Sequence, residues 1–319
     1  MSSTPYVIAQ PQAQALLARI DVPQILRKLF RDLAAGQAVQ PAQQLVEFPQ
    51  GGGDFINYLG VLAEDRVYGV KTSPYIVRNE GPLVTAWTLL MSMDRGQPLL
   101  LCDAGELTTA RTAATTAVAV DALARQDARH LCIIGSGPVA LAHLHYVKGL
   151  RPWQSIRLYS PSLAAKTAEE RARLSALDPR LSLADSRDEA VQDADVIMLC
   201  TSSAGPVLDP RELSKPALIT SISTNAPRAH EVPPQSLATL QVYCDYRRTT
   251  PGSAGEMLIA GEQHGWDPQA IIGDLPELLS GQTPTADPQR HVFFRSIGLG
   301  LEDIALANAL YRLQQHTTL

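Results

Sequence analysis

The chain has 319 residues, beyond the length at which one hydrophobic core usually stops growing, so we expect two domains. Its 45% hydrophobic and 18% charged residues exclude a disordered protein. A formal net charge of −5, without a basic run, argues against nucleic acid or an anionic membrane as a partner. Neither a signal-peptide layout nor a membrane-spanning apolar run occurs, and the four cysteines form no CxxC pair. We therefore expect a cytoplasmic protein with reduced, buried cysteines and no metal site.

The first third of the chain mixes helix and strand patterns. Helical spacing of apolar residues predicts helices at 11–35 and 108–125. The triplet Gly51-Gly52-Gly53 marks a turn before the first strands, and the turn at 94–96 predicts a hairpin. The strands are predicted at 55–62, 67–72, 83–93 and 98–102.

From residue 130 onward, short apolar strands alternate with helices. The strands are predicted at 131–134, 156–159, 181–184, 196–200, 217–221 and 240–244. Helices are predicted at 138–150, 164–177 and 187–192. Such runs predict an α/β fold with a doubly wound parallel sheet of Rossmann type, behind an N-terminal α+β domain. We place the N-terminal domain at 1–122, joined by a C-terminal helix at 301–319, and the dinucleotide-binding domain at 123–300.

A glycine-rich turn follows the first of these strands. Gly135 permits a tight turn and Gly137 lets a backbone approach a pyrophosphate, while Ala140 lets the next helix lie close to the strand. The start of that helix also favours phosphate charge. The alternative is a tight connection without a ligand. The pattern predicts a dinucleotide site that includes Gly135, Ser136, Gly137, Pro138 and Val139.

The end of the second strand bears on which nicotinamide cofactor binds. An NAD site usually carries an acidic residue there for the ribose 2′-hydroxyl, whereas this chain offers Ser160, Ser162 and Lys166, with no acid before Glu169. Hydroxyls and a cation suit a 2′-phosphate. NADP(H) is therefore favoured, with NAD(H) as the alternative. A competing interpretation is that the serines only cap a helix and Lys166 is a surface charge.

Further motifs follow one another along nearly the whole chain. They are Gly69-Val70-Lys71, Glu106-Leu107-Thr108-Thr109-Ala110-Arg111-Thr112-Ala113-Ala114, the glycine turn, Thr224-Asn225-Ala226, Asp245, Gly255-Glu256, Phe294-Arg295-Ser296-Ile297-Gly298 and Leu301-Glu302-Asp303-Ile304-Ala305. This ordered set resembles the ornithine cyclodeaminase/μ-crystallin family, closest to its Δ1-pyrroline-2-carboxylate/Δ1-piperideine-2-carboxylate (ketimine) reductases. The resemblance implies a homodimer built through the N-terminal domain, and an active site between that domain and the nucleotide domain.

The resemblance also implies the site residues. Lys71 matches the family's active-site lysine, Arg111 the arginine that reaches cofactor and substrate, and Asp245 the acid at the end of the sixth strand. We also expect Tyr58 in the substrate site. The residues expected around the nicotinamide half are Thr201, Asn225 and Ser296, and Gly298 is expected to bind the cofactor. One departure counts against ornithine cyclodeaminase itself: the segment 41–44 lacks the arginine with which the family often binds the substrate carboxylate.

The implied reaction is NAD(P)H-dependent reduction of a cyclic ketimine to L-proline or L-pipecolate. We expect Lys71 to supply or relay the proton and to help hold the carboxylate. Arg111 is expected to hold the carboxylate or the cofactor side as a planar fork, and Asp245 to stabilise the iminium or to orient Lys71. The alternative, non-catalytic interpretations are that Lys71 is solvated and that Arg111 forms a surface ion pair with Glu106 or Asp103. Alternative functions are an ornithine or lysine cyclodeaminase, an alanine or opine-type dehydrogenase, and a non-enzymatic small-ligand binder.

Overall fold

The computed structural model describes residues 4–81, 83–224 and 228–317, and the chain divides into two compact units. The first unit is Met1–Arg111 with Gly298–Leu319, and the second is Thr112–Ile297. The C-terminal helix thus belongs to the first unit, while the predicted domain bounds at 122 and 300 remain a prediction. No helix within the described ranges is long and apolar enough to cross a membrane. The cytoplasmic location stays a prediction.

Helices and strands alternate irregularly in the first unit and more regularly in the second. The α-helices are α1 (Gln10–Leu17), α2 (Val22–Ala34), α3 (Gly105–Leu123), α4 (Pro138–Val147), α5 (Ala168–Ser175), α6 (Arg187–Val191), α7 (Gly255–His264), α8 (Leu275–Leu279) and α9 (Gly300–Thr317). The strands are β1 (Tyr6–Ile8), β2 (Ala38–Val39), β3 (Gln44–Glu47), β4 (Gly53–Leu62), β5 (Val67–Ile76), β6 (Leu83–Val84), β7 (Trp87–Ser92), β8 (Pro98–Asp103), β9 (His130–Ile134), β10 (Ser155–Tyr159), β11 (Leu181–Leu183), β12 (Val196–Leu199), β13 (Leu218–Ser221), β14 (Gln241–Cys244), β15 (Gly273–Asp274) and β16 (Val292–Arg295).

The first unit is built on a mixed sheet in the order β1-β8-β7-β5-β4-β2, with β3 paired to β4 and β6 to β5. Two predicted elements are split. The helical segment 11–35 forms α1 and α2, because Asp21 is extended and caps α2, with Pro23 in its first turn. The strand 83–93 forms β6 and β7, because Pro74 on β5 lies opposite the gap and has no N–H to donate.

The second unit holds a parallel sheet in the order β11-β10-β9-β12-β13-β16-β14-β15. This confirms the predicted α/β fold with its doubly wound arrangement around β9. The sequence pattern missed β15 and β16. Strand β16 lies between β13 and β14. Asp245, which follows β14, is therefore one strand further from the glycine turn than it would be in a sheet of the six predicted strands alone. The predicted helix 164–177 begins later, as α5, because Thr167 and Glu170 form a capping box.

Helix α9 lies on the sheet of the first unit, against β4, β5 and β7. Gly60 and Gly69 face each other in the β4–β5 register. A Cβ atom on Gly60 would lie 2.7 Å from Leu301 Cδ2, and one on Gly69 would lie 2.7 Å from Ile304 Cγ1. The two missing side chains therefore let the helix approach the strands closely.

Replacing Gly69 with alanine should destabilise the protein. The added methyl group meets Ile304 and Leu90 at 3.0 Å or less, and overpacking of this kind costs about 1–3 kcal/mol. Urea unfolding measures the loss. The matched control is Gly105→Ala, where the nearest atom would lie at an ordinary 3.5 Å, and a change within about 0.5 kcal/mol is expected. Equal losses in both variants would contradict the close approach of α9.

Candidate functional site

The turn between β9 and α4 requires glycine at its first position. Gly135 has a φ of +132°, and its N–H donates to the carbonyl oxygen of Tyr159 at 2.7 Å. A Cβ atom there would lie 2.3 Å from the carbonyl oxygen of Cys200. Any side chain would therefore push apart the carboxyl ends of β9 and β12. This is where the strand order of the sheet reverses, the place at which doubly wound sheets bind ligands.

Gly137 stands in open space by contrast. It is the N-cap of α4. Among the described residues no side chain caps the helix, and no atom beyond the neighbouring backbone lies within 4 Å of where its Cβ would be. Pro138 occupies the first turn, where a missing N–H costs nothing. The uncapped amides and the helix dipole favour a phosphate group, which the open space can admit. The turn therefore fits the pyrophosphate of a dinucleotide.

A cleft of about 920 Å³ opens above this turn. Its lining includes the predicted residues Gly135, Ser136, Gly137, Pro138, Val139, Ser160, Ser162, Lys166 and Thr201. The hydroxyl of Ser162 lies 3.0 Å from that of Ser136 and 2.9 Å from that of Ser160. Ser160 also caps a short 3₁₀ helix at 161–165, so the serines are both a helix cap and part of the cleft wall.

Arg187 adds a second cation to the cleft, which no sequence pattern singled out. It is the first residue of α6 and lines the cleft together with Lys166. Its guanidinium donates to Asp188 at 2.8 and 2.9 Å and to Glu212 at 3.2 Å. The sequence signal that could have identified Arg187 is a cation soon after the third strand of this sheet in chain order. The dinucleotide fingerprint, however, points only to the end of the second strand for the group that meets the ribose.

Glu231 is a second missed residue, fully buried beside the cleft wall. One carboxylate oxygen accepts from the N–H (2.9 Å) and hydroxyl (2.7 Å) of Thr201. The other accepts from the Ser221 hydroxyl at 2.8 Å and from the N–H groups of Ile222 and Ser223 at 3.0 and 3.1 Å. One carboxylate thus ties together the segments that follow β12 and β13.

Asp245 is buried at the end of β14, where its carboxylate accepts from Ser296 Oγ at 3.0 Å and from the N–H of Ile297 at 2.7 Å. It also accepts from the N–H of Tyr246 at 2.9 Å and from the hydroxyl of Thr250. These bonds join the ends of β14 and β16, which is a positioning role. The predicted action of Asp245 on an iminium stays a prediction.

Two further expectations concern Asn225 and the cysteines. Asn225 lies outside the described residues. His143 is a structural residue: its Nδ1 lies 2.7 Å from the Val139 carbonyl oxygen, and burial lowers its pKa to about 4. The cysteines at 102, 132, 200 and 244 are buried and free, as predicted. In the part of the chain that the structure describes, no group of three or more His, Cys, Asp or Glu residues could hold a metal ion.

Lys71 forms the centre of a charged cluster in the first unit. It lies in the middle of β5 and is 2% exposed, so the interpretation as a solvated lysine is wrong. Its Nζ lies 2.9 Å from Asp303 Oδ2 and 4.2 Å from the centre of the Tyr58 ring, and it donates to Thr108 Oγ1 at 3.5 Å. Burial lowers the pKa of Lys71 to about 8, against the raising effect of the Asp303 charge.

Arg111, on α3, belongs to the same cluster. Its Nη1 lies 3.2 Å from Glu302 and its Nε 3.4 Å from Asp303, so the predicted surface pair with Glu106 or Asp103 is wrong. Both carboxylates lie in the first turn of α9 and are fully buried. Burial opposes the charge of Arg111, but the two carboxylates raise its pKa above the ordinary value. Glu302 and Asp303 belong to one of the family-like motifs, but no sequence pattern assigned them a role.

Gly298 makes room for this arginine. Its φ is +77°, and a Cβ atom would lie 1.9 Å from Arg111 Nη1. The close contact with a guanidinium explains the glycine without a cofactor. The predicted cofactor-binding role of Gly298 therefore stays a prediction.

Comparison with known proteins agrees with this geometry. A sequence model of the ornithine cyclodeaminase/mu-crystallin family matches residues 11–317. An NAD(P)H-dependent anabolic L-arginine dehydrogenase of Pseudomonas aeruginosa, DauB, is 70% identical over 314 residues, which cover 98% of this chain and 99% of the relative. The ketimine reductase mu-crystallin of Mus musculus is 26% identical over 86% of this chain and 85% of its own.

Among solved structures, the Δ1-pyrroline-2-carboxylate reductase of Thermococcus litoralis, in complex with NADH and L-proline, superposes with a TM-score of 0.87. It is 23% identical, with 98% of each chain covered, and so shows the shared fold. The predicted use of a nicotinamide cofactor is confirmed.

Two glycine substitutions should separate folding from cofactor binding. Gly137→Ala adds a methyl group to open space, so the free energy of unfolding should change by less than about 0.5 kcal/mol. The same methyl group would meet a bound pyrophosphate, and the Kd of NADPH should rise about tenfold or more, as measured by fluorescence titration. Gly135→Ala should instead destabilise the fold by about 1–3 kcal/mol. Unchanged cofactor binding in the Gly137 variant would contradict the assignment of the turn.

Proposed function

The chain belongs to the ornithine cyclodeaminase/mu-crystallin family of nicotinamide-dependent oxidoreductases, and we propose that it interconverts L-arginine and its 2-imino acid with NAD(P)(H). The observation that carries this proposal is the 70% identity to an L-arginine dehydrogenase over nearly the full length of both chains. The buried cluster of Lys71, Arg111, Glu302 and Asp303 supports the chemistry, because it supplies cations for an amino-acid carboxylate and a lysine that titrates near neutral pH.

Reduction of a cyclic ketimine, the reaction expected from the sequence, is the second candidate. Its support is the similarity to the mouse ketimine reductase at 26% identity. Both candidates require the same steps at the reacting centre: a hydride reaches the carbon of a C=N bond beside a carboxylate, and a proton reaches the nitrogen. They differ in whether the rest of the substrate is an open chain or a ring.

Lys71 is proposed to hold and release the proton. A bound nicotinamide supplies the hydride in the reductive direction. A pKa of about 8 keeps Lys71 largely protonated at neutral pH and still lets it donate, which suits a general acid. Asp303 holds the ammonium in place at 2.9 Å, and Tyr58 offers it an aromatic face.

Arg111 is proposed to bind the substrate carboxylate. A guanidinium presents donors in a planar fork that matches a carboxylate, and it stays charged at every accessible pH. The contacts with Glu302 and Asp303 fix its orientation. Asp245 accepts hydrogen bonds from residues of its own unit. It is proposed to position the ends of β14 and β16, the second of which is followed by Ser296.

A preference for NADP(H) is the proposed form of cofactor selectivity. Ser136, Ser160 and Ser162 form a hydroxyl cluster in the cleft wall, and Lys166 and Arg187 add two cations to the same cleft. Hydroxyls and cations are complementary to a ribose 2′-phosphate. NAD(H) stays the alternative, because Arg187 is already paired with Asp188 and Glu212.

A homodimer is proposed through the first unit. The sheet face that points away from α9 carries exposed apolar side chains on neighbouring strands. Val7 is 61% exposed, and Leu101, opposite it in the register, is 37% exposed. Val46, which pairs with Phe55 on the same face, is 56% exposed. An apolar sheet face of this kind marks a protein–protein interface, and a second copy is the expected partner.

A substrate panel tests the proposed function. L-Arginine is offered with NADP⁺ and with NAD⁺, and the two cyclic ketimines with NADPH and with NADH, while the nicotinamide absorbance is followed. We expect turnover of L-arginine, faster with NADP⁺. Turnover of ketimines alone would replace the first candidate with the second, and no turnover of either would overturn both. Ammonia release from ornithine or lysine without net cofactor change would identify a cyclodeaminase instead.

The role of Lys71 predicts a pH dependence. Because the protonated form donates, kcat/KM in the reductive direction should fall above pH 8, about tenfold for each pH unit. Asp303→Asn removes the charge that raises the pKa of Lys71, so the fall should begin at a lower pH. The matched control is Asp94→Asn, which breaks an exposed pair with Arg66 and should leave the profile unchanged. An identical profile in all three proteins would remove Lys71 from proton transfer.

A further inference from the structure

Asp54 lies on the sheet face that carries Lys71 and Tyr58. Side chains alternate along a strand, so Asp54, Tyr58 and Gly60 of β4 share one face, and the register pairs Tyr58 with Lys71. Gly60 contacts α9 from this face. The carboxylate of Asp54 therefore stands on the same side of the sheet as the charged cluster, four residues from Tyr58, or about 13 Å along the strand.

One oxygen of the Asp54 carboxylate lacks a partner. This Oδ1 is buried without a hydrogen bond among the described residues. Glu256, Glu302 and Asp303 also have a buried oxygen without a hydrogen bond, but each of them contacts a cation in an ion pair. A buried carboxylate oxygen left unpaired loses its hydration without compensation, which destabilises the folded protein. Such a group is explained when a ligand supplies the missing donor.

Tyr58 links Asp54 to the cluster. Burial raises the pKa of Tyr58, Arg111 lowers it, and the charges of Asp303 and Asp54 raise it further. The Tyr58 side chain therefore lies within electrostatic reach of both Arg111 and Asp54. An elongated substrate that lies across this ring would have a cation-lined end for its carboxylate and an anionic end for its side chain.

We infer that Asp54 binds the guanidinium of an open-chain amino-acid substrate and selects for a positively charged side chain. This inference rests on the proposed L-arginine activity and names the residue that recognises the distal end. A guanidinium has several donors, and its planar fork matches a carboxylate in a charge-assisted pair. Because Asp54 lies about 13 Å along the strand from Tyr58, which pairs with Lys71, only an elongated substrate bound beside Lys71 would reach it. A cyclic imino acid has no group that would reach Asp54.

The test compares L-arginine with L-citrulline, in which a neutral urea replaces the guanidinium at nearly the same shape. Wild type should prefer L-arginine. In Asp54→Asn, kcat/KM for L-arginine should fall about 10- to 100-fold, while that for L-citrulline changes little. The matched control is Glu47→Gln, which removes an exposed carboxylate opposite Asp54 in the β3–β4 register and should preserve the preference.

The outcomes separate this inference from the proposed function. Turnover of L-arginine by wild type with an unchanged preference in Asp54→Asn, or an equal loss in Glu47→Gln, would overturn the role of Asp54 alone. Absence of L-arginine turnover in wild type would overturn the proposed function itself. NADPH binding and urea unfolding of each variant show that it is folded, and Asp54→Ser takes the place of the asparagine variant if the latter does not fold.

Discussion

Helix α9 reaches the sheet of the first unit because two strand glycines, Gly60 and Gly69, carry no side chain where it lies. Glycine inside a strand costs conformational entropy, about 0.5–1 kcal/mol at each position. In return, the first turn of α9 brings Glu302 and Asp303 into a buried environment beside Lys71 and Arg111. Without those carboxylates two cations would be buried without counter-charges, at a cost of several kcal/mol each. The charged cluster therefore depends on the close fit between a helix and a pair of strands.

Within that cluster, two cations with similar burial behave differently. Lys71 forms an ion pair with one carboxylate, that of Asp303, and burial lowers the pKa of Lys71 to about 8. Arg111 contacts both carboxylates, and its pKa rises. One cation is thus able to exchange a proton near neutral pH, while the other keeps its charge throughout. This division matches the two tasks that reduction of an imino acid imposes, since the nitrogen needs a proton and the carboxylate needs a permanent counter-charge.

Local patterns predicted the parallel sheet, the glycine turn and the serine-rich end of β10, because each is set by residues close together in the chain. They did not predict the partners of Arg111, since Glu302 lies 191 residues away and only the folded chain brings the two together. Glu231 was missed for a related reason: a carboxylate that accepts backbone N–H groups leaves no motif. The insertion of β16 between β13 and β14 was also hidden, because strand order is decided by pairing rather than by sequence pattern.

The position of β16 in the sheet limits when the strands of the second unit can pair during synthesis. β16 spans Val292–Arg295 and sits inside the sheet, bridging β13 and β14. During synthesis on the ribosome, β9 to β14 are made before β16, the strand that pairs with both β13 and β14. Until β16 is made, β13 and β14 each have an unpaired edge where β16 will bind. Unpaired strand edges promote aggregation of a nascent polypeptide. Glu302 and Asp303 of α9 follow β16 in the chain, so Lys71 acquires its counter-charge only after every strand of the second unit has been synthesised.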